Sequence, residues 1–175
     1  DKIIETVLLL QPGFGGVNLE DISQPKCFRV LDTLREKAGI PVWHDDQQGT
    51  ATVTLAGLIN ALKVVGKKID QVRIAFVGSG ASNVACSRLI FGWGADPAAC
   101  LMVDSRGILG RHRHDIESRQ SEFVDKWRLC RITNAERRTG GIPEAMAGMD
   151  VVVALSRPGP GVIFPEWVSR MKRDA

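Results

Sequence analysis

The sequence predicts an α/β fold, a doubly wound parallel sheet with helices on both faces, and three observations lead to it. Strand-length and helix-length patterns alternate from Ile40 to the end of the chain. The segments "VRIAFV", "ACLMVD" and "DVVVALS" are continuous apolar runs, as expected of strands covered on two faces. The first of them runs into a glycine-rich turn, "VGSGASN", directly ahead of a helical pattern.

Taken in order, "VLLL" at Val7–Leu10 reads as a buried strand or the end of a helix, closed by "QPGFGG". Pro25 to Gly39 predicts an amphipathic helix, with Phe28, Val30, Leu31 and Leu34 on its apolar side, Pro at its start and Gly at its end. "IPVWH" is then a short buried strand. From Thr50 a helix carries Leu55, Leu58, Ile59, Leu62 and Val65 on one stripe and stops at Gly66. Val72–Gly80 is a strand feeding the glycine turn, and "ASNVACSRLIFGWG" is a helix ending near Gly92 or Gly94. "ACLMVDSRG" is the next strand, finishing at Asp104. After a polar stretch from about 105 to 123, "WRLCRIT" reads as a short strand, "GIPEAMAGM" as a brief helix, "DVVVALS" as a buried strand and "FPEWVSRMKR" as a closing helix.

A chain of 175 residues favours one domain, or one domain plus a fragment of another. Hydrophobic residues at 44% supply a substantial core. A net charge of +3 gives no footing for nucleic acid, and no apolar run approaches the ~20 residues of a membrane span. Cys27, Cys86, Cys100 and Cys130 are scattered without a C-x-x-C pair, which reads as buried reduced thiols in a cytoplasmic protein. There is no tyrosine.

The turn after the "VRIAFV" strand places Gly78, Gly80 and Asn83 at the positions of a G-x-G-x-x-G dinucleotide motif. Gly78 allows the tight turn, Gly80 lets backbone approach a pyrophosphate, and the following helix offers its N-terminal amides. Asp104 ends the next strand, where an acid can bond an adenine ribose. This is the pattern of a Rossmann-like NAD(P)-binding unit; a ligand-free Gly-rich turn is the simpler alternative. Asn83 departs from the usual Gly or Ala, and could loosen packing or bring a donor near the phosphates. Asp104 favours NAD, while Arg106, Arg111 and Arg113 keep the 2′-phosphate of NADP open.

Two acid pairs need explaining. Glu20–Asp21 follows a Gly-rich turn between apolar Leu19 and Ile22, which suggests partial burial, and Asp45–Asp46 follows the "IPVWH" strand. Adjacent carboxylates must be hydrated, hydrogen-bonded or bound to a cation. The pairs are either solvated turns or an oxygen-rich set suited to Mg²⁺ or Mn²⁺. His44 reads as a structural neighbour of the acids, and His112 and His114 as surface residues.

With these motifs in place, the chain resembles the malic enzymes, particularly the shorter bacterial and archaeal type. "FGGVNLEDI", "IPVWHDDQQGTA", "VGSGAS" and "VDSRGIL" carry the likeness, from about Pro12 to Met149, and it thins in "SRPGPGVIFPEW". The resemblance implies oxidative decarboxylation of malate to pyruvate and CO₂ with reduction of NAD or NADP. It implies Glu20, Asp21 and Asp46 as ligands of Mg²⁺ or Mn²⁺, and Asp45 as the catalytic acid beside the substrate. It further implies Ser79, Gly80, Ala81 and Ser82 as the dinucleotide phosphate loop, joining Gly78 and Asp104.

Malic enzymes are longer, and carry a catalytic tyrosine and lysine ahead of the "LEDI" segment and an asparagine-containing "NP" segment further on. Here 19 residues precede Glu20, and Lys2 has no matching surroundings. The resemblance therefore implies a central piece of a longer parent, itself a homo-oligomer (a dimer). Residues 1–38 would be a remnant of its N-terminal domain and 39–175 its NAD(P)-binding domain. A non-catalytic dinucleotide-binding module is the alternative from a different functional class.

Overall fold

The structure is a computed structural model that describes residues 2–175. Helix α1 (Lys2–Leu10) leads through a tight turn at Gln11–Gly13 to strand β1 (Val17–Leu19). Helix α2 (Lys26–Lys37) follows, with Cys27, Phe28, Val30, Leu31 and Leu34 buried and Arg35 and Lys37 in the last turn, where cations suit the helix dipole. Strand β2 (Val42–His44) pairs in parallel with β1, Leu19 standing opposite His44. The strands of this small sheet come from either side of residues 38/39.

The chain then enters a wide π-helical turn, Asp45–Gly49, and continues as helix α3 (Thr50–Val65), which Gly66 ends in a left-handed conformation (φ +67°). Strand β3 (Ile74–Val77), helix α4 (Ala81–Trp93), strand β4 (Leu101–Asp104), the two-residue strand β5 (Gly107–Ile108), helices α5 (His114–Glu117), α6 (Val124–Ile132) and α7 (Ile142–Met146), strand β6 (Val151–Ala154) and helix α8 (Pro165–Val168) complete the order. The second sheet runs β5–β4–β3–β6. Strand β3 pairs in parallel with β4 on one side and β6 on the other, and β5 adds an antiparallel edge.

All four residues of β3 are buried, and their alternation divides the core. Ile74 and Phe76 join Phe28, Leu58, Leu62, Ile90 and Met102 on one face. Ala75 and Val77 join Leu101, Val103, Met146 and Met149 on the other. A third cluster, Leu19, Val30, Leu31, Leu34 and Val42, sits on the small sheet. The four cysteines are free and fully buried, and burial pushes the Cys100 thiol up to about 12.

Several expectations are corrected. "WRLCRIT" lies within α6 and the loop after it, not in a strand. Leu129 and Cys130 bury on one side of that helix, and Thr133 closes it by donating its hydroxyl to the Leu129 carbonyl. The sheet edge is filled by the antiparallel β5 instead, so the sheet is mixed. "VLLL" is the end of α1, with Leu9 80% exposed. Trp43 in β2 and Val65 in α3 are also exposed.

Candidate dinucleotide crevice and acid pairs

Strand β3 has β4 on one side and β6 on the other, and the chain leaves it in the first direction before returning to the second. Such a switch point opens a crevice at the carboxyl ends of the strands, where ligands bind in open α/β sheets. Here it is a cavity of about 580 Å³ whose lining includes Gly78, Ser79, Gly80, Asp104, Lys126 and Ser156.

Gly78 turns the chain out of β3 with φ +99°. An added Cβ would lie 2.8 Å from the Ser156 Cα, so glycine is required for the close approach of the β6 loop. Gly80 differs. It caps α4 at φ −76°, and a Cβ there would meet nothing within 4 Å. Its bareness leaves space above the helix N-terminus. No side chain caps α4, so the amides of Ala81 and Ser82 in its first turn stay open to an anion. Asn83 is fully buried, and its amide donates to the Val77 carbonyl at 2.9 Å and the Gly78 carbonyl at 3.0 Å. The side chain thus pins the strand end, and neither loosens the packing nor reaches the phosphate space.

Asp104 lies at the end of β4 with both oxygens engaged. Its Oδ1 accepts from Arg113 Nη1 (2.9 Å) and the Arg106 backbone N–H (2.9 Å); its Oδ2 accepts from Arg113 Nη2 (3.0 Å) and Lys126 Nζ (2.9 Å). Burial alone would raise its pKa, but the bonds from Arg113 and Lys126 outweigh that and hold it below the ordinary carboxylate value. A ribose hydroxyl at Asp104 would share or displace one of these donors. Of the three arginines expected nearby, Arg113 is committed to Asp104 and Asp115, and Arg106 pairs with Asp115. Arg111 points away, donating to the Arg131 carbonyl.

The acid pairs end the two neighbouring strands of the small sheet. The Asp21 backbone N–H donates to Asp46 Oδ2 at 2.9 Å, and Asp21 holds a left-handed backbone at φ +55°. Glu20 and Asp21 are exposed, against the expectation of partial burial: their neighbour Leu19 turns inward and they turn out. Glu20 accepts from the Asn18 amide at 2.8 Å. Asp45 opens the π-helical turn, where its Oδ1 would lie 2.4 Å from a Cβ on Gly49. His44 is fully buried, with Nδ1 3.9 Å from Asp46 Oδ2 and neither ring nitrogen hydrogen-bonded. The carboxylates suit a hard divalent cation by chemistry and proximity, yet no three acids, histidines or cysteines among the described residues are drawn into one ligand group. The acid segment adjoins the crevice, since Gln24, three residues past Asp21, lines it.

A family model described as "Malic enzyme, NAD binding domain" matches residues 47–154. The chain belongs to the malic enzyme family. It is 38% identical over 99% of its length to the NAD-dependent malic enzyme of Geobacillus stearothermophilus, of which it covers 34%. It is 39% identical over 99% to the bifunctional malic/malolactic enzyme of Bacillus subtilis (strain 168), of which it covers 40%. The NADP-dependent malic enzyme of Haemophilus influenzae is 37% identical over 95% of the chain. Among solved structures, that of the Entamoeba histolytica malic enzyme matches with TM-score 0.91 and 53% identity over 97% of this chain and 34% of that one. The malic enzyme of Pyrococcus horikoshii matches with TM-score 0.92 and 46% identity, over 99% and 40%. The chain thus spans about a third to two fifths of the first of these relatives, and the likeness runs on past Met149.

Among the described residues no helix is long and apolar enough to cross a membrane. The crevice residues outside the sequence motifs include Lys126, Ser156 and Gln24. Lys126 escapes a sequence reading that places a polar stretch before it and a strand after it, where the structure has α6. Ser156 could have been found from its place just after an apolar strand, where crevice residues sit.

Proposed function

We propose that the chain is the dinucleotide-binding and acid-bearing part of an enzyme that oxidatively decarboxylates malate to pyruvate and CO₂. Residues 1–38 contribute to an N-terminal domain and 39–175 form the NAD(P)-binding domain. One observation supports this reading: Gln24, three residues past Asp21, lines the glycine crevice, and the Asp21 amide bonds to Asp46 of the second acid pair.

Gly78 and Gly80 make room for the pyrophosphate of NAD or NADP, and Ser79, Ala81 and Ser82 present the donors around it. Asp104 orders the adenosine end together with Arg113 and Lys126. Glu20, Asp21 and Asp46 would hold Mg²⁺ or Mn²⁺ in competition with the Asp21 amide for Asp46. When bound, the dinucleotide would supply a hydride acceptor for C2 of malate, and a cation held by Glu20, Asp21 and Asp46 would supply a Lewis acid for the C2 oxygen. Asp45 is exposed beside the metal acids and is free to accept or orient a proton there. Malate and pyruvate are the small-molecule partners, and a homo-oligomeric, cytoplasmic parent fits the family.

A second reading is a dinucleotide-binding module without turnover, favoured by the match of residues 47–154 to a family model of the NAD-binding domain alone. One assay separates the two: formation of reduced cofactor with malate, Mn²⁺ and either dinucleotide. Turnover that Asp46→Ala removes supports the first. Dinucleotide binding without turnover by the chain assigns catalysis to a longer parent, and the same result for that parent supports the second.

A further inference from the structure

Arg111 lines a separate cavity of about 510 Å³ that shares no residue with the glycine crevice. Arg131 and Arg137 line it too, with His112, Asn134 and Thr139. No aspartate or glutamate is among its lining residues. Among the described residues, none of the three arginines pairs with a carboxylate, and Arg111 has a single long bond, 3.4 Å to the Arg131 carbonyl.

The floor of this cavity is shaped, not incidental. A Cβ on Gly110 would lie 2.9 Å from the amide of buried Asn134, which its hydrogen bonds hold in place, so glycine suits that close approach. Asn134 is buried and left-handed at φ +57°; its amide donates to the Leu109 and Arg138 carbonyls, and its Oδ1 accepts from the Arg138 N–H. Those three bonds hold the loop that presents Arg137, itself left-handed at φ +55°. Left-handed backbone at a non-glycine residue is costly and persists where surroundings enforce it.

Three arginines in one cavity lining that holds no acid make it a positively charged site, which an anion would neutralise. One carboxylate accepts one planar fork. A chain of phosphates offers several oxygen edges and three or four charges, which three forks and the Thr139 hydroxyl match. The volume lies in the range of small-molecule sites. We infer that this cavity binds an oligophosphate, free or carried by a nucleotide, at a site separate from the cofactor crevice. The inference does not depend on malate chemistry.

The test is calorimetric titration of inorganic tripolyphosphate into three forms of the chain: unsubstituted, Arg131→Ala/Arg137→Ala, and Gly80→Val. The arginines are exposed, so the double variant is expected to keep its melting temperature. Binding at least tenfold weaker in the double variant and unchanged in Gly80→Val is the expected result, with citrate binding at least tenfold more weakly than tripolyphosphate. Equal binding by the double variant, loss in Gly80→Val, or citrate matching tripolyphosphate would overturn it. Repeating the titration with adenosine triphosphate assigns the source. Tighter binding than tripolyphosphate points to a nucleotide, and equal or weaker binding to the phosphate chain alone; both support the site if the double variant loses them.

Discussion

The backbone N–H of Asp21 donates to the carboxylate of Asp46 at 2.9 Å, across 25 residues of chain. This bond joins the two acid pairs at the ends of β1 and β2 and holds Asp21 in its left-handed conformation. It also sets up a competition, because a cation at Asp46 must share or take the oxygen that the amide now uses.

Asp46→Ala is therefore expected to do two things. Loss of a partly exposed charge-assisted bond costs about 1 kcal/mol of stability. It also reduces Mn²⁺ affinity at least tenfold, read by paramagnetic titration of the chain. Unchanged affinity would remove Asp46 from the proposed ligand set.

Gly49→Ala tests Asp45. The new Cβ would occupy the place of the Asp45 Oδ1, a flexible side-chain end that can move. The variant is expected to fold within about 1 kcal/mol of the original, since Ala is a good helix former. Its Asp45 carboxylate, however, is displaced from its present position over Gly49. In an active parent, turnover should fall at least tenfold while dinucleotide affinity holds; a parallel fall in affinity would mean that the turn itself had collapsed.

Asp104 and Asp150 give the stability of the fold a pH dependence. Burial raises each pKa, but Arg113 and Lys126 at Asp104, and Lys172, the Arg73 amide and Lys67 at Asp150, hold both below the usual value. Carboxylates depressed in the folded state add stability above the unfolded value of about 3.9 and lose it as pH falls through the folded value. Thermal melts should thus decline steeply below about pH 4, and less steeply in Asp104→Asn. Arg113→Met, which leaves Asp104 with only Lys126 and the Arg106 amide, should cost about 2 kcal/mol. A flat profile in the unsubstituted chain would contradict the pairing.

The parts legible in the sequence are those set by local chemistry. Gly66, Gly78 and Gly94 marked real turns because each takes a positive φ that other residues resist. The apolar runs of β3 and β4 were strands because both sheet faces are covered. What failed depended on partners distant in sequence. The "WRLCRIT" segment has enough apolar residues for a strand, and only the sheet order, with β6 already beside β3, leaves it as a helix. The acid pairs could be named but not placed, since their contact is one backbone bond across β1 and β2. Likewise Arg111 and Arg113 are two residues apart in sequence, yet serve different cavities once Asp104 has taken Arg113.

The central claim is that the crevice above α4 holds a dinucleotide, and Gly80 tests it most directly. Its backbone is unstrained and a Cβ there meets open space, so Gly80→Val should leave the melting temperature nearly unchanged while filling the room for pyrophosphate. Calorimetric titration of NAD and NADP into both forms is the measurement. Saturable binding of at least one dinucleotide by the unsubstituted chain, abolished in a folded Gly80→Val, is the predicted result. Equal binding by both forms would place the cofactor elsewhere and contradict the account.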